Sequence, residues 1–142
     1  MEVTKATAAT ELGLTSLVII GSGGFGRELL QLVQDINAET PTYDLLGFVD
    51  DDPADLALIE RLGSRVLGTS AGLTDIGADV IIAVGASETR RRLDELVRAA
   101  GLRAATVIHP WASLGRDVDL DEGVIVGAGS RLSTNIAVGR HA

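Results

Sequence analysis

Three glycines in the run GSGGFG, at Gly21, Gly23 and Gly26, have the spacing that brings a phosphate against a polypeptide backbone. In such a turn the first glycine permits a tight bend after a strand and the second lets backbone approach the anion. The third lets the following helix pack closely on its sheet. The N–H groups opening that helix face the ligand, and the helix dipole favours negative charge there. Ser22, Gly24 and Phe25 lie between them and belong to the same candidate site. GFVDDDP places three carboxylates, Asp50, Asp51 and Asp52, at the end of a second strand, the first of them 24 residues beyond Gly26. A carboxylate there can accept from a ribose hydroxyl or a base N–H; a solvated turn in which an aspartate caps the next helix is its plainer use. VGASETRRR supplies a second strand-to-helix loop, Gly85, Ala86 and Ser87, followed by Arg90, Arg91 and Arg92. Most exposed helix arginines are solvated, but one of these guanidiniums can meet a phosphate, and Arg90 is the favoured one. A dinucleotide, a sugar nucleotide and a tight turn without ligand are all compatible with these residues.

The elements that must position them follow from periodicity. Leu17 to Ile20 is an unbroken aliphatic run, as in strands buried on both faces. Leu29, Leu30, Leu32, Val33 and Ile36 then recur at helical spacing. LLGFVD reads as a second strand, Pro53 to Leu62 as a short helix, SRVLG as a brief strand and DVIIAVG as another strong one. Ser87 is expected to cap a helix from Glu88 to Ala100, which Gly101 ends. AATVIH is expected to add one more strand. Strands alternating with helices imply a parallel, wound α/β sheet of Rossmann-like type.

After His109 the pattern changes. Ile108, Leu114, Leu120, Val126, Leu132 and Val138 stand six residues apart. Neither a helix nor a flat strand has that period. A hexapeptide parallel β-helix does, with one aliphatic side chain per short strand pointing inward and three hexads per triangular coil. The expected organisation is a flexible leader over 1–16, a Rossmann-like domain over 17–107, which the resemblance described below makes nucleotide-sugar-binding, and the first coils of a left-handed β-helix over 108–142.

Composition narrows the function. The chain has 142 residues, 46% of them apolar, and a net charge of −8 with a pI near 4.6. Such a chain is a poor general partner for nucleic acid or anionic lipid, because neutralising phosphates takes clustered Lys and Arg. There is no cysteine and no metal-ligand cluster, so no metal is expected. No apolar run is long enough to span a membrane, and a cytoplasmic location is expected. His109 reads as a structural histidine and Trp111 as a packing plug where the two patterns meet. His141 is the one candidate general base, without a visible partner.

IIGSGGFGRE, GFVDDDP, IAVGASETRRRL and TVIHPWASLG, followed by hexads, together resemble the bacterial sugar acetyltransferases of the sialic-acid and bacillosamine type. The resemblance runs from about Leu17 to Ala142. It implies a nucleotide-sugar, UDP-linked by expectation, with Gly21 to Gly26 on its diphosphate and sugar side. It implies that Asp50 and Asp51 lie near the nucleoside, and Gly85 to Ser87 and Arg90 nearby. It implies acetyl-CoA as co-substrate, bound in later coils between the subunits of a homotrimer. The family's catalytic histidine precedes an acidic residue, and no residue here matches it; His141 falls too early. The chain is therefore expected to be the front part of such an enzyme, inactive by itself. A non-catalytic nucleotide-sugar-binding module and an NAD domain of an oxidoreductase are the alternatives.

Overall fold

The structure, a computed structural model, describes residues 12–142. Most of the expected leader, residues 1–11, lies outside the described residues. Its last two positions belong to the sheet: β1 spans Thr15–Ile20, and Thr15 and Ser16 already pair with Tyr43 and Asp44.

After β1 come α1 (Gly24–Glu39), β2 (Tyr43–Val49), α2 (Leu56–Arg61) and β3 (Val66–Gly68). A 3₁₀ turn (Ser70–Asp75), β4 (Asp79–Ile82) and α3 (Ser87–Ala99) follow. The four strands form one sheet in the order β3-β2-β1-β4, and every pairing is parallel. Side chains alternate across a strand, so each aliphatic run feeds two cores. Leu17, Ile19, Phe48 and Ile81 pack on one face with Leu29, Leu30, Leu32 and Val33 of α1. Val18, Ile20, Val49, Val80 and Ile82 pack on the other with Leu73 and with Leu93 and Val97 of α3. Each fully buried aliphatic side chain contributes about 2 kcal/mol. β1 sits between β2 and β4, so the chain's progress across the sheet reverses beside it. In such sheets a crevice opens there, beyond the carboxyl ends of the strands.

Three local expectations are corrected. The short helix begins at Leu56, not at Pro53, because Asp55 is its cap: its Oδ1 accepts from the Leu58 N–H at 2.9 Å. Ser87 lies inside α3 and does not cap it; Ala86 is the cap residue, its carbonyl accepting from the Arg90 N–H at 2.9 Å. AATVIH does not become a further strand of the sheet. It touches β4 through a single bridge, Val80 to Ala104, and then leaves. The N–H groups of Val107 and His109 instead find the carbonyls of Val124 and Val126 at 2.9 and 2.8 Å.

Six short strands follow: β5 (Val107–Ile108), β6 (Ser113–Leu114), β7 (Val118–Leu120), β8 (Ile125–Val126), β9 (Arg131–Leu132) and β10 (Ile136–Val138). They pair in parallel as β5 with β8, β6 with β9 and β7 with β10, and every ladder joins residues 18 apart. The chain thus makes a three-sided circuit and stacks a second one on it. Asp117, Gly123, Gly129, Asn135 and His141 all have positive φ and recur every six residues. Corners of left-handed backbone suit Gly, Asn and Asp. Stacked corners tie together: Asn135 Nδ2 donates to Asp117 Oδ2 at 2.6 Å, and Thr134 Oγ1 to the Arg116 carbonyl at 2.9 Å. Of the six-spaced aliphatics, Val126 is buried and Leu120, Leu132 and Val138 are half-buried. Ile108 and Leu114 stay 38% and 37% exposed, less covered than expected, because stacked circuits cover one another from one side only. Trp111 is not a plug; it is 73% exposed and meets the His109 ring edge-on at 5.2 Å. No described helix is long and apolar enough to cross a membrane.

Candidate functional site

The crevice at the carboxyl ends of β1, β2 and β4 is an open cleft of about 440 Å³. The glycine turn forms its floor. Gly21 has φ +105°, and a Cβ there would stand 2.7 Å from the Ala83 carbonyl oxygen. Gly26 is tighter still, since its Cβ would lie 1.9 Å from the Gly21 carbonyl oxygen. Packing therefore requires both. Gly23 differs: it caps α1 with negative φ, and nothing lies within 4 Å of where its Cβ would be. Among the described residues no contact requires a glycine at position 23, and the space beside it is open. The first-turn N–H groups of α1 lack helical acceptors and sit at the positive end of the dipole.

Ser22 is buried and locks this turn to β2. Its N–H and its hydroxyl both donate to Asp50 Oδ2, at 2.7 and 2.6 Å, while the Asp52 N–H donates to Asp50 Oδ1 at 2.9 Å. Burial pushes the Asp50 carboxyl up, but hydrogen bonds from Ser22 and Asp52 outweigh it and leave it below the ordinary range. A depressed folded value means stabilisation that is complete above the unfolded value and lost as pH falls through the folded one. Asp50→Ala leaves two buried donors of Ser22 without an acceptor and is expected to cost about 1–3 kcal/mol at neutral pH. In thermal unfolding the gap to wild type should persist down to the ordinary carboxylate value of 3.8 and narrow below it.

The other acidic and basic residues have distinct places. Asp51 accepts from the Ser70 N–H and hydroxyl, at 2.7 and 2.9 Å, with Arg92 at 3.8 Å. Gly21, Gly23, Gly24, Phe25, Asp50, Asp51 and Gly85 all line the cleft. Ser22 and Gly26 support it from below, and Ala86 and Ser87 are exposed beside it. Arg90 turns away, its Nη1 donating to the carbonyls of Val84 and Gly85 at 3.3 and 3.2 Å. Sequence reasoning missed Ser70 and Thr89 in the lining; it named Asp52 with its two neighbours, and of the three arginines it favoured Arg90 where Arg92 lines the cleft. Helical spacing from Gly85 reaches 89, 92 and 93, so the face of α3 was the available signal for Arg92 over Arg90.

Neither histidine is in the cleft lining. His109 is buried, with Nε2 2.9 Å from Asp35 Oδ2 on α1 and Nδ1 accepting from the Trp111 N–H at 2.9 Å. His141 is buried against α3, Nε2 2.8 Å from Asp94 Oδ1, and among the described residues Nδ1 has no partner. Beside it Arg140 donates to Asp94 at 2.7–3.1 Å and to Glu122 Oε2 at 2.8 Å. Both histidines fasten the stacked circuits to helices of the sheet unit. Among the described residues no group of three His, Asp or Glu is placed to hold a metal ion.

The family model of the PglD N-terminal domain matches residues 16–96. Among solved structures, a mutant perosamine N-acetyltransferase from Caulobacter crescentus, in complex with CoA and GDP-perosamine, is 27% identical with a TM-score of 0.75. The match covers 89% of this chain and 58% of that one. The acetyltransferase domain of PglB from Neisseria gonorrhoeae FA1090, in complex with acetyl coenzyme A, is 27% identical with a TM-score of 0.67, over 91% of this chain and 63% of that one. A Rex-family repressor, 19% identical over 92% of this chain and 60% of its own, has a TM-score of 0.52 and shares the fold alone. The chain thus spans about three fifths of the length of these proteins. No curated protein sequence matches it. A family model that accounts for the glycine turn, the acidic strand end and most of α3 shows that the chain belongs to the PglD N-terminal domain family.

Proposed function

We propose that the cleft holds the diphosphate of a nucleotide-linked amino sugar, and that the chain is the substrate-binding part of an acetyl-CoA-dependent sugar acetyltransferase. One observation carries this reading: a helix N-terminus opened by an unhindered Gly23, at the switch point of a parallel sheet, in a cleft large enough for such a ligand. The nucleotide-sugar domain expected over 17–107 then runs from Thr15, with β1, to Thr106, and the first coils of a hexapeptide left-handed β-helix run from Val107, with β5, to 142. The 18-residue ladders and the six-residue corners support the second assignment. Acetyl-CoA belongs, by resemblance, to later coils of a homotrimer, and no residue of this chain is assigned to it. In this reading neither His109 nor His141 takes the proton of the sugar amine, which is supported by their absence from the cleft lining.

Thermal unfolding with added ligands tests the reading. GDP- or UDP-linked amino sugars at 100 times their Kd should stabilise the chain by about 2.7 kcal/mol, and NAD should not. Stabilisation by NAD with none from either sugar nucleotide would move the chain to dinucleotide binding. Acetyl transfer by the purified chain is expected to be absent. Turnover abolished by His141→Gln would return that histidine to the chemistry.

A further inference from the structure

We infer that Arg92 is the diphosphate-binding cation of the cleft, resting on Asp51 in the free protein and moving to the phosphates when ligand enters. The inference rests on the nucleotide-sugar reading and names a residue for it. Asp50, Asp51 and Asp52 all line the cleft, and among the described residues Arg92 is the one cationic side chain in the lining; Arg27, near Gly24, lies outside it and donates to the Ser22 carbonyl at 3.5 Å. A dianionic diphosphate entering beside three carboxylates, in a chain of net charge −8, needs a counter-charge. The helix N-terminus supplies only about half a charge.

The three consecutive arginines are sorted by the phase of α3. Leu93 is buried in the core, which fixes the rotation of the helix. Arg92, beside it, faces the cleft with Thr89 one turn earlier. Arg90 is spent on the carbonyls of Val84 and Gly85, and Arg91 is not in the lining.

The resting state is easily left. Arg92 and Asp51 are 3.8 Å apart with side chains 56% and 46% exposed, the geometry of an ion pair worth very little. Asp51 is held in place without Arg92, because the N–H and hydroxyl of Ser70 both donate to it. Moving the guanidinium therefore leaves no polar group stranded. A planar guanidinium grips phosphate through two parallel N–H bonds, which an ammonium cannot do.

The test is calorimetric titration of the full chain with GDP and UDP, and with guanosine and uridine, in wild type, Arg92→Met and Arg92→Lys. Methionine keeps the apolar stem, and an exposed position should leave the melting temperature unchanged. Arg92→Met is expected to weaken the nucleoside diphosphate that binds wild type about 10- to 100-fold. The nucleosides should lose nothing, Arg92→Lys should fall between, and the salt dependence of diphosphate binding should become shallower. A wild-type affinity for diphosphate in Arg92→Met overturns the inference while leaving the nucleotide reading intact. Equal losses for nucleoside and diphosphate also overturn it. Wild type that binds none of the four ligands overturns both.

Discussion

Gly26→Ala is expected to destabilise the protein by at least about 3 kcal/mol and to abolish ligand protection, because the added methyl group has nowhere to go. Its Cβ would stand 1.9 Å from the Gly21 carbonyl oxygen, 2.8 Å from that carbonyl carbon and 3.3 Å from Cε1 of Phe48. The obstacle is backbone, and that backbone is wedged. The Gly21 N–H donates to the Val49 carbonyl at 2.8 Å, and Gly21 itself lies against Ala83. Backing away would break the β1–β2 ladder or lift α1 off the sheet. Against a total stability of about 5–15 kcal/mol, this is a large fraction. The midpoint of thermal unfolding should fall by about 10 °C or more. Gly24→Ala is the control. Its Cβ meets only an Arg27 guanidinium nitrogen at 4.0 Å, and alanine is the better helix former by about 0.5–1 kcal/mol. That variant should melt at or above wild type, yet bind nucleotide-sugar more weakly because the methyl group enters the cleft. Gly26→Ala melting with wild type would show that the turn is not packed as described.

Asp94→Asn is expected to cost about 3 kcal/mol, the scale for removing one partner of a buried ion pair. Asp94 is 16% exposed in its side chain and gathers Arg140, His141 and, from one turn along α3, Arg98. Hydrogen bonding from Arg140 lowers its carboxyl most; burial opposes this, and His141 adds to the lowering. The same contact, against burial and with help from Glu122, raises Arg140. Asparagine keeps the shape but loses the charge, so Arg140 is left with Glu122 alone and His141 loses its carboxylate. The second stacked circuit should loosen first. Amide exchange at Ile136 to His141 should quicken more than at Leu17 to Ile20. The folded value of Asp94 is depressed, so the penalty is complete above 3.8 and fades only as pH falls below it. Asp94→Asn combined with Arg140→Met should cost less than the sum of the two, since both remove one interaction. A change under about 0.5 kcal/mol, the usual range of surface substitutions, would mean that the two units do not depend on this contact.

These variants separate what is local from what is not. The strand, the glycine turn and the helix of residues 17–36 were legible in the sequence because each depends on neighbours a few residues away: side-chain alternation, helical spacing, the missing Cβ. The alternation of strands and helices was legible for the same reason, and so was the six-residue spacing after Ile108. Which carboxylate meets which donor was not. Asp50 binds Ser22 from 28 residues away, His109 reaches Asp35 across 74, and His141 reaches Asp94 across 47. The choice of Arg92 over Arg90 for the cleft hung on the rotation of α3, fixed by where Leu93 seats in the core. The departure of Val107 from the sheet was decided by carbonyls of Val124 and Val126 in the next circuit. Backbone preference and hydrophobic period act within a turn or a strand, and they settled the elements. Partners for charges and donors are settled only when packing fixes the distance and angle between elements, and that information lies in the fold rather than in any stretch of the chain.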